Sequence, residues 1–142
     1  MSTVIGLDHG SRRIGVAVGS EETGLAFARP ALLRQNLAAD LDQIEALAHA
    51  EDASQVVLGL PRNMDGSEGA QAAAARSFGE QLAAIGLAVV FIDERLTSWQ
   101  AGEDLAAGDR QPTRASGEKD SAAARLILQE WLDRRRANDP TT

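Results

Sequence analysis

Cysteine is absent from this 142-residue sequence, and Lys119 is its only lysine. Without cysteine the chain has no disulfide framework and no thiolate chemistry, which suits a reducing compartment. No stretch approaches the roughly 20 apolar residues of a membrane-spanning helix, and the N-terminus lacks the basic and apolar regions of a signal peptide. We therefore expect a soluble cytoplasmic protein that binds no membrane.

Positive charge is also scarce. The 14 Lys and Arg residues face 21 Asp and Glu residues, which gives a formal net charge of −7. Proteins that coat nucleic acid non-specifically bind through basic surfaces, so this balance argues against that class. It does not exclude a nucleic-acid enzyme, because the arginines cluster in sequence around a few motifs. Arginine suits bidentate phosphate contacts, although genomic base composition explains its excess over lysine equally well.

The length and the ordinary share of hydrophobic residues, 44%, predict one domain with one core. We assign the domain to residues 1–137 and expect the tail 138–142 to be disordered. Five segments have the pattern of strands, the first two forming a hairpin and the third ending at Pro30. The last two are continuous apolar runs, typical of buried parallel strands. The predicted strands are Val4–Asp8, Ile14–Val18, Leu25–Ala28, Val56–Leu60 and Leu87–Ile92.

Helical spacing of apolar residues predicts the remaining elements. Asn36 is a candidate N-cap for a first helix through Ala48, and an alanine-rich second helix ends before Gly86. A short helix begins at Thr97 or Ser98, a mobile loop covers Gly108–Gly117, and a final helix runs from about Lys119 to Arg134. The order of elements predicts an α/β fold with a five-stranded mixed sheet and helices on both faces.

Four acids stand at the ends of predicted elements. Asp8 ends the first strand just before Gly10, Asp93 and Glu94 follow the fifth strand, and Asp120 begins the last helix. Each has an ordinary explanation as a turn residue, a surface acid pair with Arg95, or a helix cap. Carboxylates from separate parts of the chain that meet at one site, however, can hold two divalent ions for phosphodiester hydrolysis. Adjacent residues of a strand point in opposite directions, so only one of Asp93 and Glu94 should face such a site.

The turn GLPRNMDGSEG, which contains Arg62 and Ser67, lies between the fourth strand and the second helix. Glycines there allow close approach, and Ser67 near a helix N-terminus is a reasonable phosphate contact. An ordinary turn built on Asp65 and Gly66 is the simpler interpretation. No Gly-Lys-Ser/Thr follows, so the segment is not a P-loop, and the two histidines have no zinc-ligand spacing.

Four segments in register, GLDHGSRRIGVAV, GLPRNMDGSEG, DERLTSWQA and KDSAAARLILQEWLD, resemble the YqgF family, also called RuvX. The resemblance covers nearly the whole chain. It implies a ribonuclease H-like fold similar to that of Holliday junction resolvases and a nuclease that uses two Mg²⁺ or Mn²⁺ ions. It further implies a role in maturing the 5′ end of precursor 16S rRNA.

The resemblance also implies roles for particular residues. The family's three acids match Asp8, Glu94 and Asp120, which are expected to be catalytic and to bind the metal, with Asp93 a less favoured ligand. The expected substrate contacts are Arg12, Arg13, Arg62, Ser67 and Arg95. The chain departs from the family pattern at Lys119, where an apolar residue is usual, and at Gly19–Ser20, where Ser-Asp is usual. These departures leave every carboxylate in place.

Other functions remain open at this point. A Holliday junction resolvase or another DNA nuclease is one alternative, and a non-catalytic nucleic-acid-binding or ribosome-associated protein is another. An Asp-x-Gly hairpin also opens the phosphate-binding halves of actin-like ATPases and sugar kinases, but those enzymes need two halves and this chain has room for one. The expected partner is nucleic acid, either precursor rRNA or structured DNA, and the sequence allows a monomer or a homodimer.

Overall fold

The computed structural model describes residues 3–61, 65–93 and 121–137. The strands are β1 (Thr3–His9), β2 (Arg13–Ser20), β3 (Leu25–Leu33), β4 (Ala53–Leu60) and β5 (Ala88–Asp93). The helices are α1 (Leu37–Ala50), α2 (Ala70–Ala84) and α3 (Ala122–Ala137). The expected helix at Thr97 or Ser98, the loop Gly108–Gly117 and the tail 138–142 lie outside the described residues. None of the described helices is long and apolar enough to cross a membrane.

The five strands form one mixed sheet in the order β3-β2-β1-β4-β5. The hairpin β1–β2 and the pair β2–β3 are antiparallel, whereas β1, β4 and β5 run parallel. The carboxyl ends of β1, β4 and β5 therefore lie at one edge of the sheet. The predicted five-stranded mixed sheet is confirmed. The central strand is β1, which pairs with the antiparallel β2 on one side and the parallel β4 on the other.

Each face of the sheet is covered by its own core, so the expectation of a single core is wrong. Ile5 and Leu7 of β1 pack on the side of α1 and α2, together with Ile44 and Phe78 of those helices. Val4 packs on the opposite side, in the core that contains Ile127, Leu128 and Trp131 of α3. Helices on both faces are thus confirmed, and the alternation of β1 tells which residues point to which helix.

The helix ends follow the local sequence. The side chain of Asn36 accepts a hydrogen bond from the Ala39 N–H at 2.9 Å and caps α1 as predicted. Gly86 follows the C-cap residue of α2 with φ +103°, a conformation in which glycine avoids the steric cost of a side chain.

Strand β3 is longer than predicted. The expectation that it ends at Pro30 is wrong, since the strand continues to Leu33. Ile14 pairs with Leu32 and Val16 with Arg29, so Pro30 and Ala31 together lie opposite the single residue Gly15. This is a β-bulge on an edge strand, where the missing N–H of proline costs no ladder hydrogen bond.

Next to the bulge, strand β2 contacts Ser121, which directly precedes α3 and is fully buried. Its hydroxyl accepts a hydrogen bond from the Val16 N–H at 2.9 Å. We expect Ser121→Ala to lower the free energy of unfolding by about 1–3 kcal/mol, because the buried N–H would lose this acceptor. Urea unfolding measures the change. The control is Ser77→Ala on the exposed surface of α2, where alanine should have no cost; equal stability of the two variants would contradict the role of Ser121.

Candidate active site

Asp8 lies at the sheet edge where the parallel strands end. It is the penultimate residue of β1 and pairs with Gly15 of β2. On the far side of β4, Asp93 ends β5 and pairs with Leu60. Both acids therefore lie at the carboxyl-end edge, which is where open α/β sheets place their ligands.

The two acids point to opposite faces of the sheet. Asp8 has the same parity as Val4, which packs in the α3 core, so its side chain projects on the α3 face. In β5 it is Ile92 that packs in the α3 core, while Phe91 packs against the core of α1 and α2. Asp93 shares the parity of Phe91 and projects on the α1 and α2 face. Asp93 is therefore poorly placed to share a site with Asp8.

The N-terminal end of α3 lies beside Asp8. Ser121 is bound to Val16, the neighbour of Gly15, and Gly15 is the strand partner of Asp8. One turn further along, the helix backbone passes so close to β1 that a Cβ added at Gly6 would lie 3.1 Å from the Ala124 carbonyl oxygen. The fold thus brings the first turn of the last helix onto the strand that carries Asp8.

Gly19, where the chain departs from the family pattern, has a similar packing role. A Cβ there would lie 3.0 Å from Leu132 Cδ1 and 2.8 Å from the Leu25 carbonyl oxygen. Ser20 accepts hydrogen bonds from the Glu22 and Thr23 N–H groups within the β2–β3 turn. The departure therefore serves the packing of α3 and the turn, at the end of β2 remote from Asp8.

The β1–β2 turn after Asp8 carries two exposed arginines, Arg12 and Arg13. The turn is closed by a hydrogen bond from the Gly10 N–H to the Arg13 carbonyl at 3.0 Å. Arg34, which follows β3, fixes it from outside: its N–H donates to the Arg12 carbonyl at 2.9 Å, and its Nη1 donates to the Gly10 carbonyl at 2.9 Å. Two adjacent cations are thereby held next to the strand end that carries Asp8.

Arg34 is itself held by a buried acid in the first turn of α1. Asp40 is 1% exposed; its Oδ1 accepts a hydrogen bond from the Gln35 N–H at 2.9 Å, and its Oδ2 lies 3.5 Å from Arg34 Nε. Sequence reasoning missed this pair. An acid in the first turn of a helix is common because the helix dipole favours it, so nothing in the pattern marks Asp40 as buried.

His9 lies on the opposite face from Asp8, against the same pair. Its ring is tilted at 32° over Phe78, with centroids 4.8 Å apart. Burial lowers the pKa of the His9 imidazole and the positive charge of Arg34 lowers it further, while Asp40 acts in the opposite direction. The arrangement favours a neutral ring that packs against the core of α1 and α2.

The Arg34–Asp40 pair should contribute to stability. We expect Arg34→Met to lower the free energy of unfolding by roughly 2 kcal/mol or more, because Asp40 would stay buried without its cation and the Gly10 carbonyl would lose a donor. The matched control is Arg29→Met, since Arg29 pairs with Glu51 at 3.6 Å on the surface, with side chains 45% and 30% exposed. That change should cost under about 1 kcal/mol. Similar losses in urea unfolding of the two variants would contradict the structural role of Arg34.

The turn before α2 has the simpler of its two predicted structures. Both the N–H and the hydroxyl of Ser67 donate to Asp65 Oδ1, at 2.9 and 2.6 Å, and Gly66 has φ +91°. This is a turn closed by an aspartate side chain. The phosphate contact expected of Ser67 would have to exchange for one of these bonds, and it stays a prediction.

The described residues contain no cluster of three acids, histidines or cysteines that could hold a metal ion. Of the predicted ligands they include Asp8 alone. Glu94 and Asp120 lie outside the described residues, as do the predicted substrate contacts Arg62 and Arg95. The structure therefore brings together Asp8, Arg12 and Arg13, and leaves the other assignments as predictions.

Known proteins resemble this chain over nearly its whole length. The family model described as "RuvX: Holliday junction resolvase" matches residues 2–134. A protein of Gloeobacter violaceus named "Putative pre-16S rRNA nuclease" is 46% identical over 99% of this chain and 89% of its own length. A protein of the same name from Anaeromyxobacter is 42% identical over 92% of this chain and 96% of its own.

Solved structures share the fold at low sequence identity. Thermus thermophilus RuvC in complex with a Holliday junction superposes with a TM-score of 0.64 at 16% identity, covering 97% of this chain and 98% of that one. The yeast mitochondrial Holliday junction resolvase gives a TM-score of 0.58 at 12% identity, covering 92% and 78%. The ribonuclease H-like fold is confirmed, and the chain belongs to the RuvX family of nucleases.

Proposed function

We propose that the chain is a metal-dependent nuclease that matures the 5′ end of precursor 16S rRNA. The observation that carries the proposal is the position of Asp8, half-buried at the carboxyl-end edge of the central strand and on the face covered by the first turn of α3. Relatives that match nearly the whole chain at 42–46% identity carry the name "Putative pre-16S rRNA nuclease", which supports precursor 16S rRNA as the substrate.

Asp8, Glu94 and Asp120 are the proposed metal ligands. They offer oxygen donors only, the chemistry that Mg²⁺ and Mn²⁺ prefer. Asp93 projects away from Asp8, so we keep Glu94 as the proposed second ligand. Ser121 is anchored beside the strand partner of Asp8, which supports its sequence neighbour Asp120 as the third.

In the proposed mechanism the protein positions a phosphodiester and neutralises its charge. Two divalent ions, when bound, activate the attacking water and stabilise the leaving oxygen. Asp8 would hold them from the end of β1, a strand whose backbone is paired with β2 on one side and β4 on the other. Arg12 and Arg13 bind the flanking phosphates, with Arg62, Ser67 and Arg95 as further contacts. Because these positive charges lie at separate positions, they orient the RNA strand across the carboxyl-end edge of the sheet.

Cleavage of a Holliday junction or another DNA is the second candidate, favoured by the description of the family model. A side-by-side assay separates the two. Precursor 16S rRNA, single-stranded DNA and a four-way junction are incubated with Mg²⁺, Mn²⁺ or chelator. We expect metal-dependent cleavage of the rRNA precursor, leaving a 5′-phosphate at the mature end. Cleavage confined to the junction would contradict the rRNA proposal, and binding without cleavage would favour a non-catalytic role.

The proposed reaction also defines where the protein acts. Because the proposed substrate is a precursor of ribosomal RNA, we propose a cytoplasmic protein that associates with the ribosome at least transiently. A resolvase that cuts two strands symmetrically works as a dimer, whereas cleavage of one rRNA strand needs a single site. Mass measurement in solution should therefore show a monomer if the rRNA assignment is right, and a homodimer would favour the junction.

A further inference from the structure

A groove beside the candidate site has a composition that the nuclease chemistry alone does not explain. Its volume is about 400 Å³, and it is lined by Ser11, Arg12, Arg13, Leu33, Arg34 and Gln35. Volumes of this size suit a small organic ligand. Three of the six lining residues are arginines, in a chain whose net charge is −7. The groove is thus a local concentration of positive charge on an acidic protein.

The groove is preorganised by Arg34. Of the five guanidinium donors, those on Nε and Nη1 bind Asp40 and the Gly10 carbonyl, so the group is fixed from behind while its side chain stays 32% exposed. Asp40, which is almost fully buried, balances its charge from the protein side. A cation held in this way binds an anion without losing side-chain freedom.

An apolar side chain lies among these cations. Leu33 is 62% exposed, the highest value among the large hydrophobic residues of the described chain. It is the strand partner of Arg13, so both side chains stand on one face of the sheet. Arg13 shares the parity of Gly15, the partner of Asp8, which places Arg13 and Leu33 on the face from which Asp8 projects.

The distance between the groove and Asp8 allows the groove to bind a nucleotide adjacent to the phosphate at Asp8. Strand β3 is two strands away from β1, which corresponds to about 10 Å. A polynucleotide that has one phosphate at Asp8 would therefore extend an adjacent nucleotide towards Leu33 and Arg34. This step rests on the proposed nuclease function.

We propose that the groove binds one unpaired nucleotide of the substrate strand, with Arg12 and Arg34 on its phosphate and Leu33 against the face of its base. In a duplex the base faces are covered by stacking, and only phosphates would reach the groove, which would leave Leu33 without an apolar partner. Single strands expose their base faces to side chains and to guanidinium planes. The combination of fixed cations with an exposed apolar residue therefore selects an unpaired nucleotide.

Binding measurements test the proposal. Leu33→Glu is introduced into the full chain carrying Asp8→Asn, which prevents cleavage, and fluorescence anisotropy measures affinity for short single-stranded RNA, single-stranded DNA and a duplex. We expect Leu33→Glu to weaken single-strand binding about tenfold, because the change removes the apolar contact with the base and adds a charge that repels its phosphate. Duplex binding should weaken much less, since a duplex meets only the added charge. Loss on RNA and DNA alike, or on RNA alone, supports the proposal and shows whether the sugar is read.

Phe27→Glu is the matched control, since Phe27 is an apolar residue of the same strand with 58% exposure and does not line the groove. It should bind like its parent. Equal losses for the two variants, equal losses on duplex and single strand, or no loss with Leu33→Glu would overturn the groove assignment. Failure of the nuclease proposal can be distinguished from failure of the groove assignment. The first would appear as a wild-type chain that cleaves no substrate, whereas the binding assay requires no cleavage.

Discussion

Replacement of Asp8 by asparagine should reduce metal-dependent cleavage about a thousandfold or more. The two side chains have nearly the same shape, so the change removes the negative charge that is proposed to hold the metal and leaves the strand intact. Metal ions contribute several kcal/mol to phosphodiester hydrolysis, and each 1.36 kcal/mol is about a factor of ten in rate. Cleavage rates at saturating Mg²⁺ and Mn²⁺ measure the effect, and urea unfolding checks that the variant is folded.

The chain provides a matched control for this experiment. Asp93 lies at the same sheet edge but projects on the other face, so Asp93→Asn makes the same chemical change outside the proposed site. It should retain most of the cleavage activity, whereas Glu94→Gln should lose it as Asp8→Asn does. A large loss with Asp93→Asn together with an active Glu94→Gln variant would exchange the roles of the two acids.

Substitution of Gly6 should have the largest effect on stability. A Cβ at this position would lie 2.7 Å from Leu128 Cβ and 3.1 Å from the Ala124 carbonyl oxygen. Neither atom is the flexible end of a side chain, so α3 would have to move away from the sheet. We expect Gly6→Val to lower the free energy of unfolding by about 3 kcal/mol or more, as overpacked cores do. Urea or thermal unfolding measures the loss.

An exposed strand position gives the comparison. Ser54→Val on β4 adds a branched side chain at a site open to solvent, where valine is well tolerated. Its unfolding should differ little from that of the wild type. If Gly6→Val were as stable as Ser54→Val, the close approach of α3 to β1, and with it the position of the α3 end beside Asp8, would be contradicted.

The elements that local sequence patterns determine were predictable. The β1–β2 hairpin follows from alternation around a glycine turn, and the two later parallel strands from continuous apolar runs. The cap at Asn36 and the stop at Gly86 are set by side-chain and backbone preferences of single residues. These features need no knowledge of what packs against them.

The features that tertiary contacts determine could not be predicted from the sequence. Pro30 normally ends a strand, but here an edge position and a bulge opposite Gly15 accommodate it. Likewise, the burial of Asp40 depends on Arg34 arriving from the end of β3, and Ser121 finds its partner 105 residues away at Val16. No local pattern encodes such pairings.

Some features of the candidate site could likewise be predicted from the sequence, and others depend on tertiary contacts. That Asp8 ends a strand beside a glycine turn was visible in the sequence, and so was the adjacency of Asp93 and Glu94. Whether Asp93 lies on the same face of the sheet as Asp8 depends on the register of β5 against β4, where Asp93 pairs with Leu60. The contribution of Arg34 to the β1–β2 turn was missed because a single arginine after a strand has no distinctive spacing.

The most direct test of the three-carboxylate site is anomalous scattering from a crystal of the wild-type chain soaked in Mn²⁺. We expect anomalous density at the carboxyl end of β1, on the α3 face, within coordination distance of Asp8, Glu94 and Asp120, and none in a crystal of Asp8→Asn. Density coordinated by Asp93 on the opposite face, or its persistence in Asp8→Asn, would contradict it.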